Sequence, residues 1–224
     1  MSAPVACVIP ALDAAATVAA VARGLRAAVP GALVIGVDDG SGDGTRGAML
    51  GCCDVVIAFE RNRGKGAAIR AGILAALARD AWAVITIDAD GQHDPAAAPA
   101  LLSALGAADL AIGSRARRGT AMPIGRRMTN ALASAAVGRI LGTPVPDPQS
   151  GYRAMRRRVC ETVAAAGDRY EYETEFLIAA GKAGFRIASV PVATHYGAAS
   201  HFRAVRDSAR VVRAIWRHRA AGVR

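Results

Sequence analysis

From Val5 to Gly113 the chain repeats one pattern: a short apolar run, a polar turn, then an alanine-rich stretch with helical spacing. Apolar runs of this length bounded by turn residues read as buried strands, and the stretches between them read as helices. The pattern predicts strands near 5–9, 32–37, 54–59, 82–88 and 108–113, with helices near 14–29, 44–51, 65–79 and 96–105. Alternating strands and helices give an α/β fold with a mostly parallel central sheet flanked by helices. In such sheets ligands bind beyond the carboxyl ends of the strands. Four polar clusters fall there: Pro10 to Asp13, Asp38 to Asp43, Asn62 to Gly66 and Asp88 to Pro95.

After Gly113-Ser-Arg115 the character changes. A Gly/Arg/Pro loop over 116–123 leads to a helix expected near 125–141, and the prolines of Thr143-Pro-Val-Pro-Asp-Pro148 exclude helix beyond it. An extended segment starts at Gln149, a helix is expected from Glu171 to Ala183, another extended segment from Arg186 to Val192, and a last helix from about Ala204 to Arg219. This half is expected to complete the site. The division expected is a catalytic domain over 1–202 and a basic amphipathic helix over 203–224.

The densest chemistry is Asp88-Ala-Asp90-Gly-Gln92-His-Asp94-Pro, directly after the apolar run ending at Ile87. Side chains at i and i+2 of an extended chain point to one side, so Asp88 and Asp90 can converge on one cation with Gln92 beside them. Oxygen ligands select a hard ion, Mg²⁺ or Mn²⁺. Such an ion completes its shell with water and phosphate oxygens, which suggests a nucleotide diphosphate as ligand. Asp94-Pro95 suits a helix start, yet capping leaves the two earlier acids unexplained.

Composition narrows the partners. The chain is 53% hydrophobic over 224 residues, enough for a sizeable core. Cys7, Cys52, Cys53 and Cys160 lie in or beside apolar segments without the spacing of a zinc site, and read as reduced thiols. No leader is visible before the first strand, and no uncharged apolar run approaches ~18 residues, so the expected location is the cytoplasm or the cytoplasmic face of a membrane. The net charge of +10 is concentrated. Residues 203–224 carry seven arginines against Asp207 alone, and Arg115, Arg117, Arg118, Arg126 and Arg127 cluster without an acid. Such a field attracts polyanions. With only 4% aromatic residues and no stacking or groove-reading motif, nucleic acid is not the expected partner.

The first strand-to-helix turn, Pro10-Ala-Leu-Asp-Ala, has no glycine, which excludes a dinucleotide fingerprint, and Gly66 follows Lys65 where a P-loop needs Ser or Thr. What remains resembles the family 2 glycosyltransferases of GT-A fold, particularly the dolichyl- or polyprenyl-phosphate mannose or glucose synthase-like branch. Val8-Ile-Pro-Ala-Leu-Asp13 is similar to the opening VIPxxNE. Val37-Asp-Asp-Gly-Ser-Gly-Asp-Gly-Thr45 resembles VDDGSxDGT, and Asn62-Arg-Gly-Lys-Gly-Ala-Ala68 resembles NxGKGxA. Asp88 to Pro95, Gly113-Ser-Arg115, Asp147-Pro-Gln-Ser-Gly-Tyr-Arg153, Tyr170-Glu-Tyr-Glu-Thr-Glu175 and Val190-Pro-Val192 follow in family order. One departure stands out: the usual Asn-Glu is Asp13-Ala14 here, which removes an acid at the nucleotide edge.

The resemblance implies a nucleotide-sugar donor, GDP-mannose or UDP-glucose, and an inverting transfer assisted by a cation on Asp88, Asp90 and Gln92. It implies that Pro10, Ala11, Asp13 and Asp39 line the nucleoside pocket, with Gly64, Lys65 and Asp88 nearby. Arg115 begins the loop over the site and suits phosphate, where its planar fork offers two hydrogen bonds. Arg126, His201 and Arg203 are further phosphate or acceptor candidates. A lipid phosphate acceptor is already anionic and needs positioning more than a base. A hydroxyl acceptor needs a base, for which Asp147 and Glu175 are candidates, though both also suit structural roles. Arg203, Arg206, Arg210, Arg213 and Arg217 form one stripe beside Val205, Val212, Ile215 and Trp216, so the last helix either docks on anionic membrane or packs on the domain. The leading expectation is a transferase acting on polyprenyl phosphate. A soluble transferase acting on a hydroxyl and a non-catalytic nucleotide-sugar-binding module stay open.

Overall fold

The structure, a computed structural model, describes residues 3–115, 124–169 and 171–194, with backbone alone over 124–129. The loop 116–123, Tyr170 and the C-terminal segment carrying His201, Arg203 and the basic stripe lie outside the described residues.

A seven-stranded sheet organises the domain in the order β3-β2-β1-β4-β6-β5-β7. The strands are β1 (Val5–Ala11), β2 (Leu33–Asp38), β3 (Val55–Ala58), β4 (Ala83–Thr86), β5 (Leu110–Arg115), β6 (Arg153–Arg156) and β7 (Ile187–Val192). β1 pairs in parallel with β2 and β4, β2 with β3, and β5 with β7. Among the described residues, β6 is the one strand that runs against its neighbours, β4 and β5. The mostly parallel α/β sheet expected from the pattern is therefore present.

The helices are α1 (Val18–Ala28), α2 (Thr45–Leu50), α3 (Lys65–Leu77), α4 (Ala98–Ala104), α5 (Ile124–Leu141), α6 (Arg157–Thr162) and α7 (Tyr172–Lys182). Successive strand residues face opposite sides of a sheet, and two cores result. Ala6, Val8, Ile35, Val37, Val84, Leu110 and Ile112 pack in one core with Ala68, Ile73 and Phe176. Cys7, Ile9, Val34, Ile85 and Ala111 pack in the other with Val21, Leu25 and Leu101. Each fully buried Val, Leu or Ile contributes about 1.5–3 kcal/mol relative to exposure. Gly72 lets α3 lie against β1, because a Cβ there would overlap the Val8 side chain.

Three local differences from the sequence pattern have physical causes. α1 starts at Val18 rather than near residue 14, because the Asp13 φ of +49° and the turn after it break helical geometry. The helix expected over 96–105 divides into a 3₁₀ turn, Pro95–Ala97, and α4; the Asp94 side chain accepts from Ala96 N at 2.9 Å and starts that turn. α6 has no counterpart in the expected elements. β6 is antiparallel because the connection from α5 stays at the carboxyl edge, where Asp147 meets Arg115 and Gly151 meets Asp88, so the strand begins there and runs back. That reversal carries residues 147–151 into the site. All four cysteines are free thiols. Among the described residues no helix is long and apolar enough to cross a membrane.

Candidate active site

The first polar edge is built from two loops laced together. Asp13 N donates to Ser41 Oγ at 2.9 Å, and Gly42 N returns a bond to Asp13 Oδ1 at 2.9 Å. Ala14 N donates to the buried Thr45 hydroxyl at 2.7 Å, and Ala15 N to Asp43 Oδ2 at 3.1 Å. Thr45 in turn donates to Asp43 Oδ1, which holds the Asp43 carboxyl below its ordinary range. Asp13 thus secures the loop that follows Pro10 and Ala11. The missing acid at position 14 leaves only an alanine methyl beside this network.

Asp39 is buried, and its carboxylate faces its own protein. Oδ1 accepts from Arg63 N at 2.7 Å and Oδ2 from Gly64 N at 2.9 Å, fixing the turn into α3. Burial pushes its pKa up against the pull of these amides. Gly64 has φ +102°, open to glycine at little cost, and a Cβ there would overlap the Asp168 carbonyl. That carbonyl accepts from Gly66 N at 2.8 Å, while Arg70 donates to Gly167 O at 2.6 Å and pairs with Asp168. The N-terminus of α3 is therefore capped by the 165–168 segment.

Lys65 stands at the centre of a half-buried charge cluster. Its Nζ lies 2.6 Å from Asp88 Oδ1 and 2.6 Å from Glu173 Oε1. Burial works against the ammonium, but the two carboxylates outweigh it and raise the Lys65 pKa. For Asp88, burial works against the charge, and Lys65 together with the nearby His93 holds the carboxyl below its ordinary 3.8. Gly151 closes the cluster from one side: a Cβ would come within 2.6–2.8 Å of both Asp88 oxygens and 2.8 Å of Lys65 Nζ. Thr86 Oγ1 anchors Gly151 O at 2.8 Å.

Asp90 lies one turn further, its Oδ1 accepting from Gln92 N at 3.0 Å. Among the described residues no three His, Cys, Asp or Glu side chains converge on a metal position. A hard cation on the Asp90 carboxylate and the Gln92 amide oxygen fits that donor set, because Mg²⁺ takes few protein oxygens and leaves the rest of its shell to water and phosphate. Asp88, the third expected ligand, shares its charge with Lys65.

Arg115 and Asp147 meet each other. Arg115 Nε donates to Asp147 Oδ2 and Nη2 to Oδ1, both at 2.6 Å, while Arg115 N adds a 3.1 Å bond. Asp147 is buried with φ +66°, a conformation Asp adopts more readily than most residues. Glu175 lies buried in α7, where its Oε2 accepts from Gly167 N at 2.8 Å. Arg126 falls in the first turn of α5, its side chain outside the described residues.

Three residues that motif reading left without a role stand in this cluster. Glu173 completes the Lys65 pair. Arg153 is buried and donates to Pro148 O, Ser150 O and Glu173 O at 2.7–2.9 Å, tying the 147–151 segment to α7. His93 is buried with its ring against Tyr152 at 5.5 Å; its Nδ1 has no hydrogen-bond partner among the described residues, and burial holds its pKa down. His93 sits inside the Asp88–Pro95 motif and could have been singled out there, whereas the sequence carries no signal that pairs Glu173 with Lys65 or Arg153 with the 147–151 segment.

Comparison with known proteins places this arrangement. The profile of the family described as Glycosyl transferase family 2 matches residues 6–164. An undecaprenyl-phosphate mannosyltransferase of Micrococcus luteus is 34% identical over 180 residues, 75% of this chain and 74% of its own length. A polyprenol monophosphomannose synthase of Mycolicibacterium smegmatis is 36% identical over 179 residues, 74% of this chain and 67% of its own. Glucosyl-3-phosphoglycerate synthase from Mycobacterium tuberculosis, crystallised with Mg²⁺ and uridine diphosphate, superposes with a TM-score of 0.79 at 23% identity over 97% of this chain and 79% of that one. At that identity the likeness is one of fold. With a family match over most of its length and relatives more than 30% identical over most of both chains, the chain belongs to glycosyltransferase family 2 and is a glycosyltransferase of GT-A fold.

Proposed function

We propose that the enzyme transfers a sugar from a nucleotide-sugar donor, GDP-mannose or UDP-glucose, to the phosphate of a polyprenyl lipid, with Mg²⁺ or Mn²⁺ bound at Asp90 and Gln92. The observation that carries this reading is the state of the two candidate bases. Asp147 is engaged by the Arg115 fork and Glu175 by Gly167 N. A hydroxyl acceptor needs a carboxylate to take its proton, whereas a phosphate monoester oxygen is already an anion. The similarity to two enzymes named for polyprenyl-phosphate mannosyl transfer supports the same acceptor.

The protein's own contribution is positioning. The Asp13–Gly42 and Ala14–Thr45 bonds fix the nucleoside edge, Asp39 fixes the turn carrying Lys65, and Asp147 holds Arg115 at the mouth of the loop that follows. A bound cation supplies electrostatic stabilisation of the departing nucleoside diphosphate. Groups fixed in advance reorganise little as charge moves, which is where such sites gain their rate. Inversion in a single displacement is the expectation for this branch, and the arginine-rich C-terminal sequence suits an anionic membrane surface beside the lipid.

The test is transfer of labelled sugar from each donor to undecaprenyl phosphate, with Mg²⁺ or Mn²⁺ and with chelator, against a soluble sugar acceptor. Lipid-linked product that needs the metal and is lost in Asp90→Ala is expected. Glycosylation of the soluble hydroxyl alone overturns the acceptor assignment, and turnover unchanged by chelator or by Asp90→Ala overturns the metal assignment.

A further inference from the structure

We propose that Lys65 is a built-in monovalent substitute for the divalent cation at Asp88, and that Glu173 is the positioning residue that draws Lys65 away when the cation arrives. The inference rests on the metal reading given above and adds Asp88 to Asp90 and Gln92 as the ligand that becomes available when Lys65 shifts. It assigns a role to Glu173 and an opposite-sign role to Lys65, and it follows from three features of the cluster.

The first feature is the shared ammonium. Lys65 Nζ is equidistant, at 2.6 Å, from a carboxylate at the cation turn and a carboxylate on α7. The Lys65 and Asp88 side chains keep 18% and 23% of their surface exposed, whereas the Glu173 side chain is almost fully buried, so the Asp88 side of the shared ammonium is the one open to a further ligand. A partly exposed carboxylate that shares its one ammonium with a second acid can exchange that ammonium for an added cation. The second is the ready alternative for Lys65. A divalent ion near Asp88 repels the ammonium, and Glu173 already contacts it, so the ammonium can leave Asp88 and still keep one carboxylate. Arg153, whose guanidinium donates to Glu173 O at 2.7 Å, fixes this first turn of α7. The third is the glycine beside the pair. A Cβ at Gly151 would come within 2.6–2.8 Å of the Asp88 oxygens and 2.8 Å of Lys65 Nζ, so both groups use space that any other residue would fill. The exchange is thus a change of partner in a space kept open by glycine.

Lys65 and Glu173 must then act on cation affinity in opposite directions. Removing Lys65 gives Asp88 its full charge and tightens the cation; neutralising Glu173 removes the pull that releases Lys65 from Asp88 and weakens it. If either residue served only to hold the fold, both substitutions would weaken binding together.

The experiment is direct Mn²⁺ binding to the full chain, by calorimetry and by electron paramagnetic resonance of free Mn²⁺, first without nucleotide and then with uridine or guanosine diphosphate. Wild type, Lys65→Met and Glu173→Gln are compared, with melting temperatures recorded for each. Coupling between sites of this kind commonly falls within roughly 5- to 150-fold. We expect Mn²⁺ alone to bind on the order of tenfold more tightly to Lys65→Met, and on the order of tenfold more weakly to Glu173→Gln, than to wild type. Mn²⁺ affinities shifting in the same direction in both variants, or unchanged in Glu173→Gln, overturn the exchange while leaving the metal site standing. Wild type that binds no Mn²⁺ even with nucleoside diphosphate overturns the metal reading and the exchange together.

Discussion

Replacing Asp147 with Asn separates a structural carboxylate from a catalytic one. The side chain keeps its size, and Asn tolerates the φ of +66° as Asp does, so the backbone is spared. What changes is charge. In the wild type the Arg115 fork makes two charge-assisted bonds at 2.6 Å, and the Asp147 side chain is only 3% exposed. Leaving one member of a buried pair without its partner's charge costs about 3–5 kcal/mol. Asn retains one acceptor oxygen and the Arg115 side chain is 16% exposed to water, so the lower end, ~3 kcal/mol, applies. For a domain of this size each kcal/mol moves the melting temperature by ~2–4 °C, giving a fall of about 6–12 °C. Thermal and urea denaturation followed by circular dichroism measure this directly. Adding Arg115→Met to Asp147→Asn should restore part of the loss, because the guanidinium that lost the Asp147 charge is gone. A variant that melts within about 2 °C of wild type but no longer transfers sugar would refute the structural assignment and return Asp147 to the role of general base.

Two further outcomes test the scaffold. Gly64→Ala should lower the melting temperature and weaken nucleoside diphosphate binding, since φ +102° strains any Cβ and the new methyl meets the Asp168 carbonyl; the strain alone costs about 1–3 kcal/mol, and an alanine variant with wild-type melting and affinity would contradict the close approach. At the opposite edge, Asp109 is buried, accepts from Arg186 N at 2.9 Å and pairs with Arg158. Burial raises its pKa, but these partners outweigh it and hold the carboxyl below 3.8. The folded value is depressed, so its stabilisation is complete above 3.8 and disappears as pH falls through the folded value. Asp109→Asn should therefore melt lower than wild type at neutral pH, with the gap closing below 3.8; a gap that is constant through the acid range would show that the charge is not what stabilises.

The strands β1 to β5 were legible because their apolar runs are long, clean and bounded by Gly, Asp and Asn, and the two-residue period of each run sorts its side chains into the two cores. The same runs placed four polar clusters at one edge, since parallel strands all end on the same side. Motif order along residues 5–192 was enough to identify the family, and no contact was needed for it. The position of β6 was not legible. Gln149 to Met155 read as extended, but nothing local says that the strand inserts antiparallel between β4 and β5, because pairing partners are chosen by the path of the connecting chain. That insertion is what brings Asp147 to Arg115 and Gly151 to Asp88. Nor does sequence say how a carboxylate is spent. Asp39, Asp147 and Glu175 all looked available for chemistry, and each proves to hold a backbone amide or a guanidinium. A carboxylate's role depends on which donors lie within about 3 Å, and residues as far apart in sequence as Lys65 and Glu173 reach that distance only when the sheet assembles.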